Sequence, residues 1–151
     1  MCEYIWKSSK YKLLKGRWGI AVWLEAGYKI VSGIEAGNGY IQLTDNIFFH
    51  SHSMLSYPES QKLTEEELVY FCNGLRLVSK YLGEWAGDGS YLVIALKSIH
   101  FSDCYLQIEG FTASAIQWAS ETFGFPMPDI KTYFDRKKSN YGGYVFDFSS
   151  V

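Results

Sequence analysis

Apolar side chains follow one another without interruption from Tyr91 to Leu96, between the Gly87-Asp88-Gly89 turn and the polar Ser98. A run of that length predicts an interior strand covered on both faces. After a turn at Ser102-Asp103, Cys104-Tyr-Leu-Gln-Ile108 reads as its antiparallel return, and Glu109-Gly110 is expected to break it. A helix should then start with Thr112 as N-cap and stop at Gly124, a left-handed C-cap residue. On that helix Ala113, Ile116, Ala119, Ser120 and Phe123 fall on one face, and Ser114, Gln117 and Glu121 on the other.

The helix before this unit is the best marked in the chain. Thr64-Glu65-Glu66-Glu67 is a capping box, and Leu63 and Leu68 have the spacing of a hydrophobic staple. Leu68, Phe71, Cys72, Leu75, Val78 and Leu82 continue at the helical period, and Gly83 is expected to end it. Glu65 and Glu66 favour the positive end of the helix dipole, which explains them as structural charges.

From Trp18 to His50 the pattern is that of β-structure, after a lead-in segment from Tyr4 to Arg17 that reads as solvated and amphipathic. Gly19-Ile-Ala-Val-Trp-Leu24 and Tyr28-Lys-Ile-Val31 read as strands around a turn at Ala26-Gly27. A reversal at Gly37-Asn38-Gly39 leads to Tyr40-Ile-Gln-Leu43, and Thr44-Asp45-Asn46 turns the chain into Ile47-Phe-Phe-His50. These predict an antiparallel meander. Ser53 to Lys62 reads as an exposed loop. Beyond the second helix Phe125-Pro-Met-Pro128 forces an extended path. Ile130 to Phe134 then predicts an edge strand, and Tyr144-Val-Phe-Asp-Phe148 a closing strand with Tyr144, Phe146 and Phe148 on one side. The fold class is therefore α+β: one domain over residues 1–151, a mainly antiparallel sheet, and two principal helices, Thr64 to Leu82 and Thr112 to Phe123, packed on one face.

Composition narrows the function without choosing it. A hydrophobic content of 48% with 20% charged residues suits a folded domain. Net charge is -2, so no global field draws the chain to nucleic acid or an anionic membrane. Three irregularly spaced cysteines, Cys2, Cys72 and Cys104, point to a reducing compartment. No leader is expected from Met1-Cys-Glu-Tyr-Ile-Trp-Lys7, and no run is long enough to cross a bilayer, so a cytoplasmic protein is expected. Aromatic residues reach 18%, which favours interaction surfaces as well as core.

Candidate chemistry is sparse. His50 and His52 would share a face of an extended segment, and with His100 and Cys104 they are the residues a small enzyme or ligand-binding domain would use. Strand ends hold such residues for hydrogen bonding too, and no recognised ligand spacing accompanies them, so no metal, cofactor or catalytic residue is expected. Cys72 reads as a small core residue. From Tyr4 to Arg17, lysines alternate with Tyr4, Trp6, Tyr11 and, just beyond, Trp18, which could grip phosphates and stack on bases. Edge strands carry the same mixture, and nucleic acid is not the expected partner. Glu25, Glu35, Asp88, Asp103, Glu109, Asp135 and Asp147 have no spacing that forces a catalytic pair, and Gly33 to Gly39 opens no helix and so forms no phosphate cradle. Trp85 beside Gly87-Asp88-Gly89, and Trp118 on its helix, are candidate binding anchors, although burial against a neighbouring element is the expected fate of each.

The strand and short return, Glu109-Gly110, the Trp118 helix, Phe125-Pro-Met-Pro128 and the terminal Tyr144 to Phe148 together resemble small bacterial proteins of the toxin-immunity type. That resemblance lies in size, aromatic richness and layout over the last third of the chain. It implies a cytoplasmic, non-enzymatic protein that binds and neutralises a cognate toxin, such as a nuclease. The surface expected to do so includes Trp85, Asp88 and Glu109.

Overall fold

The computed structural model describes residues 3–16, 18–34, 39–51, 63–101, 107–138 and 142–151. In chain order its elements are β1 (Ile5–Leu14), β2 (Gly19–Val31), β3 (Tyr40–Thr44), β4 (Ile47–His50), α1 (Glu65–Leu77), α2 (Ser79–Ala86), β5 (Tyr91–Phe101), α3 (Glu109–Phe123), β6 (Lys131–Asp135) and β7 (Gly143–Asp147). The fold is α+β, with β1 to β5 forming one sheet in the order β1-β2-β5-β4-β3. Every neighbouring pair in it is antiparallel except β4 and β5. The expected meander is thus interrupted, because the apolar β5 inserts between β2 and β4. Strands β6 and β7 pair separately as a two-stranded sheet.

Two corrections concern strand length. The basic aromatic N-terminal segment is a full edge strand, paired residue by residue from Ile5↔Tyr28 to Leu14↔Gly19. Strand β2 runs unbroken through Ala26 and Gly27, where a turn was expected. Those two residues are small because of what covers them. Ala26 is buried in the core, and a Cβ on Gly27 would lie 2.5 Å from Trp6 Cε3, so the glycine lets the indole lie on the sheet. Strand β5 likewise continues past Leu96 to Phe101, through a bulge that places Lys97 as an extra residue against Glu25 and Ala26. The extra residue shifts the pleat. Leu92, Ile94 and Leu96 face the core before it, and Ile99 after it.

The capping box is present in both directions: Glu67 N–H donates to Thr64 Oγ1 at 3.1 Å, and Thr64 N–H to Glu67 Oε1 at 2.8 Å. Such a cap contributes about 1 kcal/mol. Instead of one long helix, the chain leaves helical geometry at the buried Val78 (φ -107, ψ 15) and resumes as α2. Gly83 lies inside α2, and Gly87, at φ 79, ends it. There are thus three helices among the described residues, all on one face of the large sheet.

α3 begins at Glu109, three residues before the expected cap. Burial of Phe111 edge-on against Phe101 at 5.2 Å anchors this first turn, outweighing the Glu109-Gly110 break signal. Residues 104–106 of the expected return strand lie outside the described residues, and Ile108 has helical backbone geometry. Gln107 meets β7 through its side chain, donating to Tyr144 O at 2.8 Å and accepting from Tyr144 N–H. Thr112 is no cap: its hydroxyl donates to Tyr70 O of α1 at 2.7 Å. Nor is α3 amphipathic in the expected sense. Ser114 is buried with its hydroxyl turned back to Phe111 O, and Gln117 and Trp118 donate to the Lys10 and Lys7 carbonyls of β1. Gly124 does close the helix in left-handed geometry (φ 79, ψ 25).

α1 and α3 approach most closely at Gly74, where a Cβ would collide with Thr112 O and come within 2.9 Å of Ala115 Cβ. Gly74→Ala is expected to destabilise the protein by about 2 kcal/mol through overpacking, although alanine is the better helix former. A denaturant titration against wild type checks this, and an unchanged or raised midpoint contradicts it.

Candidate functional site

The residues singled out from sequence do not form one cluster. Trp85, on α2, is 41% exposed, its ring edge-on to Tyr28 at 5.0 Å and to Phe123 at 4.8 Å. Asp88 follows in the exposed turn after α2. It lines a surface pocket of about 390 Å³ with Ser32, Asp45, Asn46 and Tyr91. Glu109 stands at the other end of α3 from Phe123, roughly 21 Å away along the helix. There it lies 3.5 Å from Lys138 Nζ. Trp118, the other candidate anchor, is fully buried with its indole N–H on Lys7 O.

Around Trp85 the structure assembles a surface that sequence reading missed. Tyr81, one helical turn earlier, stacks on Phe125 at 4.4 Å with ring planes 10° apart. Tyr81 and Met127 share the 41% exposure of Trp85. Upstream, Val69 and Leu77 are also exposed, and lie off the buried Phe71, Leu75, Val78 and Leu82 stripe. Val69, Leu77, Tyr81 and Trp85 follow one another at steps of eight, four and four, a readable signal of apolar positions outside the core stripe, although the break at Val78 divides them between α1 and α2. An exposed apolar surface of this kind marks an interaction site more often than a scatter of single residues does. Glu84, Asp88, Glu121 and Asp129 are exposed on the same elements and their flanking turns, against Lys80.

The opposite face of the large sheet has no helix on it among the described residues. Val93 and Ala95 are nonetheless fully buried there: the Trp6 indole lies over Gly27, the partner of Ala95, and Phe48 is the partner of Val93 in the neighbouring strand. Tyr4 packs against Trp6, and its hydroxyl lies 3.0 Å from His50 Nδ1. His50 stacks on Tyr40 at 4.7 Å, and Phe48 packs against Tyr91. His50 is thus part of an aromatic layer. His100 is exposed and pairs in register with Trp23, while His52 and Cys104 lie outside the described residues. No group of three or more His, Cys, Asp or Glu converges on a metal position among the described residues.

Cys72 is buried in the core, and burial pushes its thiol up to about 12, so it is no activated nucleophile. Burial also pushes Tyr4 and Tyr11 up to about 12, with Tyr40 and Tyr144 adding to it. An unfolded chain releases these protons from about pH 9 to 10, whereas the folded protein holds them until about 12. Stability contributed by these groups is therefore complete below about pH 9 and lost as pH rises from about 9 to 12. The denaturation midpoint is expected to fall across that interval, with Cys72→Ala removing the first part of the fall. A midpoint that stays level to about pH 11 contradicts it.

No helix among the described residues is long and apolar enough to cross a membrane. Compared with protein-family models, curated proteins and solved structures, the chain matches none, and its functional reading rests on this geometry.

Proposed function

We propose that the protein is a non-enzymatic binding module, an immunity protein that neutralises a cognate bacterial toxin in the cytoplasm. The observation that supports this most is the aromatic surface of Tyr81 and Trp85, half-exposed where α2 meets Phe123 and Phe125 at and just beyond the end of α3. Tyr81 and Trp85 both sit on α2. Trp85 is held between Tyr28 and Phe123, so little ordering entropy is lost when a partner covers it. An aromatic anchor with a polar rim is the usual energetic centre of a protein interface.

Glu84, beside Trp85, and Asp88, in the turn after α2, give that neighbourhood an acidic character, which suits a basic partner such as a nuclease toxin. Rim charges of this kind speed encounter more than they deepen affinity, and salt weakens their effect. Occlusion needs no catalytic residue: the module would cover the toxin's active site or the surface it uses.

Co-expression with the product of the adjacent gene, followed by titration of the purified partners, tests the reading. Trp85→Ala is expected to weaken binding by at least about 2 kcal/mol, roughly thirtyfold. Asp88→Ala should mainly slow association at low salt, and Glu109→Ala, at the far end of α3, should change little. Equal affinity of Trp85→Ala and wild type would move the interface elsewhere. Turnover of a metabolite by protein that retains no partner would contradict a binding module altogether.

A further inference from the structure

The helix-free sheet face differs from the Trp85 surface in charge. Pairing across the sheet puts Lys10 and Lys12 of β1, Lys29 of β2 and Lys97 of β5 on it, against the carboxylate of Glu25 among its described strand residues. The whole chain carries -2, so this face reverses the sign of the molecule locally. From Ala21, the partner of Lys12, to Lys29, the lysines span roughly 26 Å along β2.

Aromatic rings are interleaved with those charges. Lys10 Nζ lies 4.8 Å over Trp23, Lys29 Nζ 4.6 Å over Tyr4, and Lys97 Nζ 5.4 Å over Trp6. Trp23, 42% exposed, borders a pocket of about 400 Å³ whose lining includes Ser8, Lys10, Glu25, Ser98 and His100. That volume exceeds what one nucleobase fills, and the indole provides a flat wall. The hydroxyls and the carboxylate can accept from or donate to the edge of a base according to their type. Lys10 and Lys12 stand close enough to depress the Lys10 ammonium, first through its desolvation and then through mutual repulsion, which a phosphate would relieve.

We propose that this face binds single-stranded nucleic acid, with Trp23 as the stacking platform at the pocket and Lys12, Lys10, Lys97 and Lys29 as the phosphate track. In the free protein each of three ammonium groups rests on a ring. A phosphate draws the ammonium outward, and the ring it leaves becomes available to a base. Stacking requires unpaired bases, so a duplex fits poorly. An acidic protein segment would use the lysines but has no need of the indole, and this separates the two kinds of partner.

Fluorescence anisotropy of the full chain with a labelled oligothymidylate of about 12 nucleotides, at low salt, is the direct test. Binding is expected, with quenching of indole emission. Trp23→Ala should weaken it at least about fivefold and Trp23→Phe should restore most of the loss. Lys10→Gln with Lys12→Gln should lower the slope of log affinity against log salt by about 1.4. Circular dichroism shows whether each variant is folded, and Trp23 and both lysines are outside the helix-packed core. No anisotropy change at low salt, or binding that survives both Trp23→Ala and the lysine pair, overturns the proposal. So does equal displacement by poly-glutamate together with indifference to Trp23→Ala, which would assign the face to an acidic protein.

Discussion

Everything in this fold depends on enclosing one helix. α3 lies against β1 and β2 on one side and α1 on another, and from Gly110 to Phe123 only Gln117, Glu121 and Thr122 escape burial. A helix buried all round cannot be chosen by amphipathicity. It needs small residues where neighbours come close and a partner for each polar group it carries inward. Ala113, Ala115 and Ala119 with Gly74 of α1 meet the first need, and the Thr112–Tyr70 and Trp118–Lys7 hydrogen bonds the second. The Trp118–Lys7 bond, with that of Gln117 to Lys10 O, also protects the sheet, because these carbonyls of edge strand β1 are satisfied by α3 side chains rather than offered to another chain.

Placing all three helices on one side leaves the sheet to cover its other side with single side chains. Gly27 and Ala95 make a low floor, and Trp6 lies upon it, with Tyr4 against the indole and three lysines over rings. The bulge at Lys97 serves this layer too, since it brings an ammonium to within 3.9 Å of Glu25 on the helix-free side while returning Ile99 to the core. The molecule thus has two unlike surfaces. One is apolar with an acidic rim at the α2–α3 junction; the other is basic and aromatic. We assign a protein partner to the first and an unpaired nucleic acid to the second.

Local signals proved legible wherever the cause was local. The capping box at Thr64, the left-handed Gly124, the Asp45-Asn46 turn and the shared side of Tyr144, Phe146 and Phe148 depend on neighbours in sequence, and each stands as read. Where small or polar residues answered to distant contacts, reading them as punctuation failed. Ala26-Gly27 looked like a turn because the indole that requires the glycine is about twenty residues away. Thr112 looked like a cap because Tyr70 was invisible, and Ser114 looked exposed because nothing local reveals a helix enclosed on several sides. The candidate surface followed the same division. Trp85 and Asp88 were marked by the turn beside them, while the stacking of Tyr81 on Phe125 and the edge-on packing of Trp85 against Phe123 join α2 to the end of α3 and the residues just after it.

Enclosure of α3 is therefore the claim on which both surfaces stand, and native-state hydrogen exchange measures it most directly. If α3 is the element that sheet and α1 jointly hold, its amides from Ala113 to Ser120 open only with global unfolding, and their exchange free energy equals the stability found by denaturant titration. Exchange of those amides through a local opening well below that stability, with β2 and β5 still protected, would contradict the account.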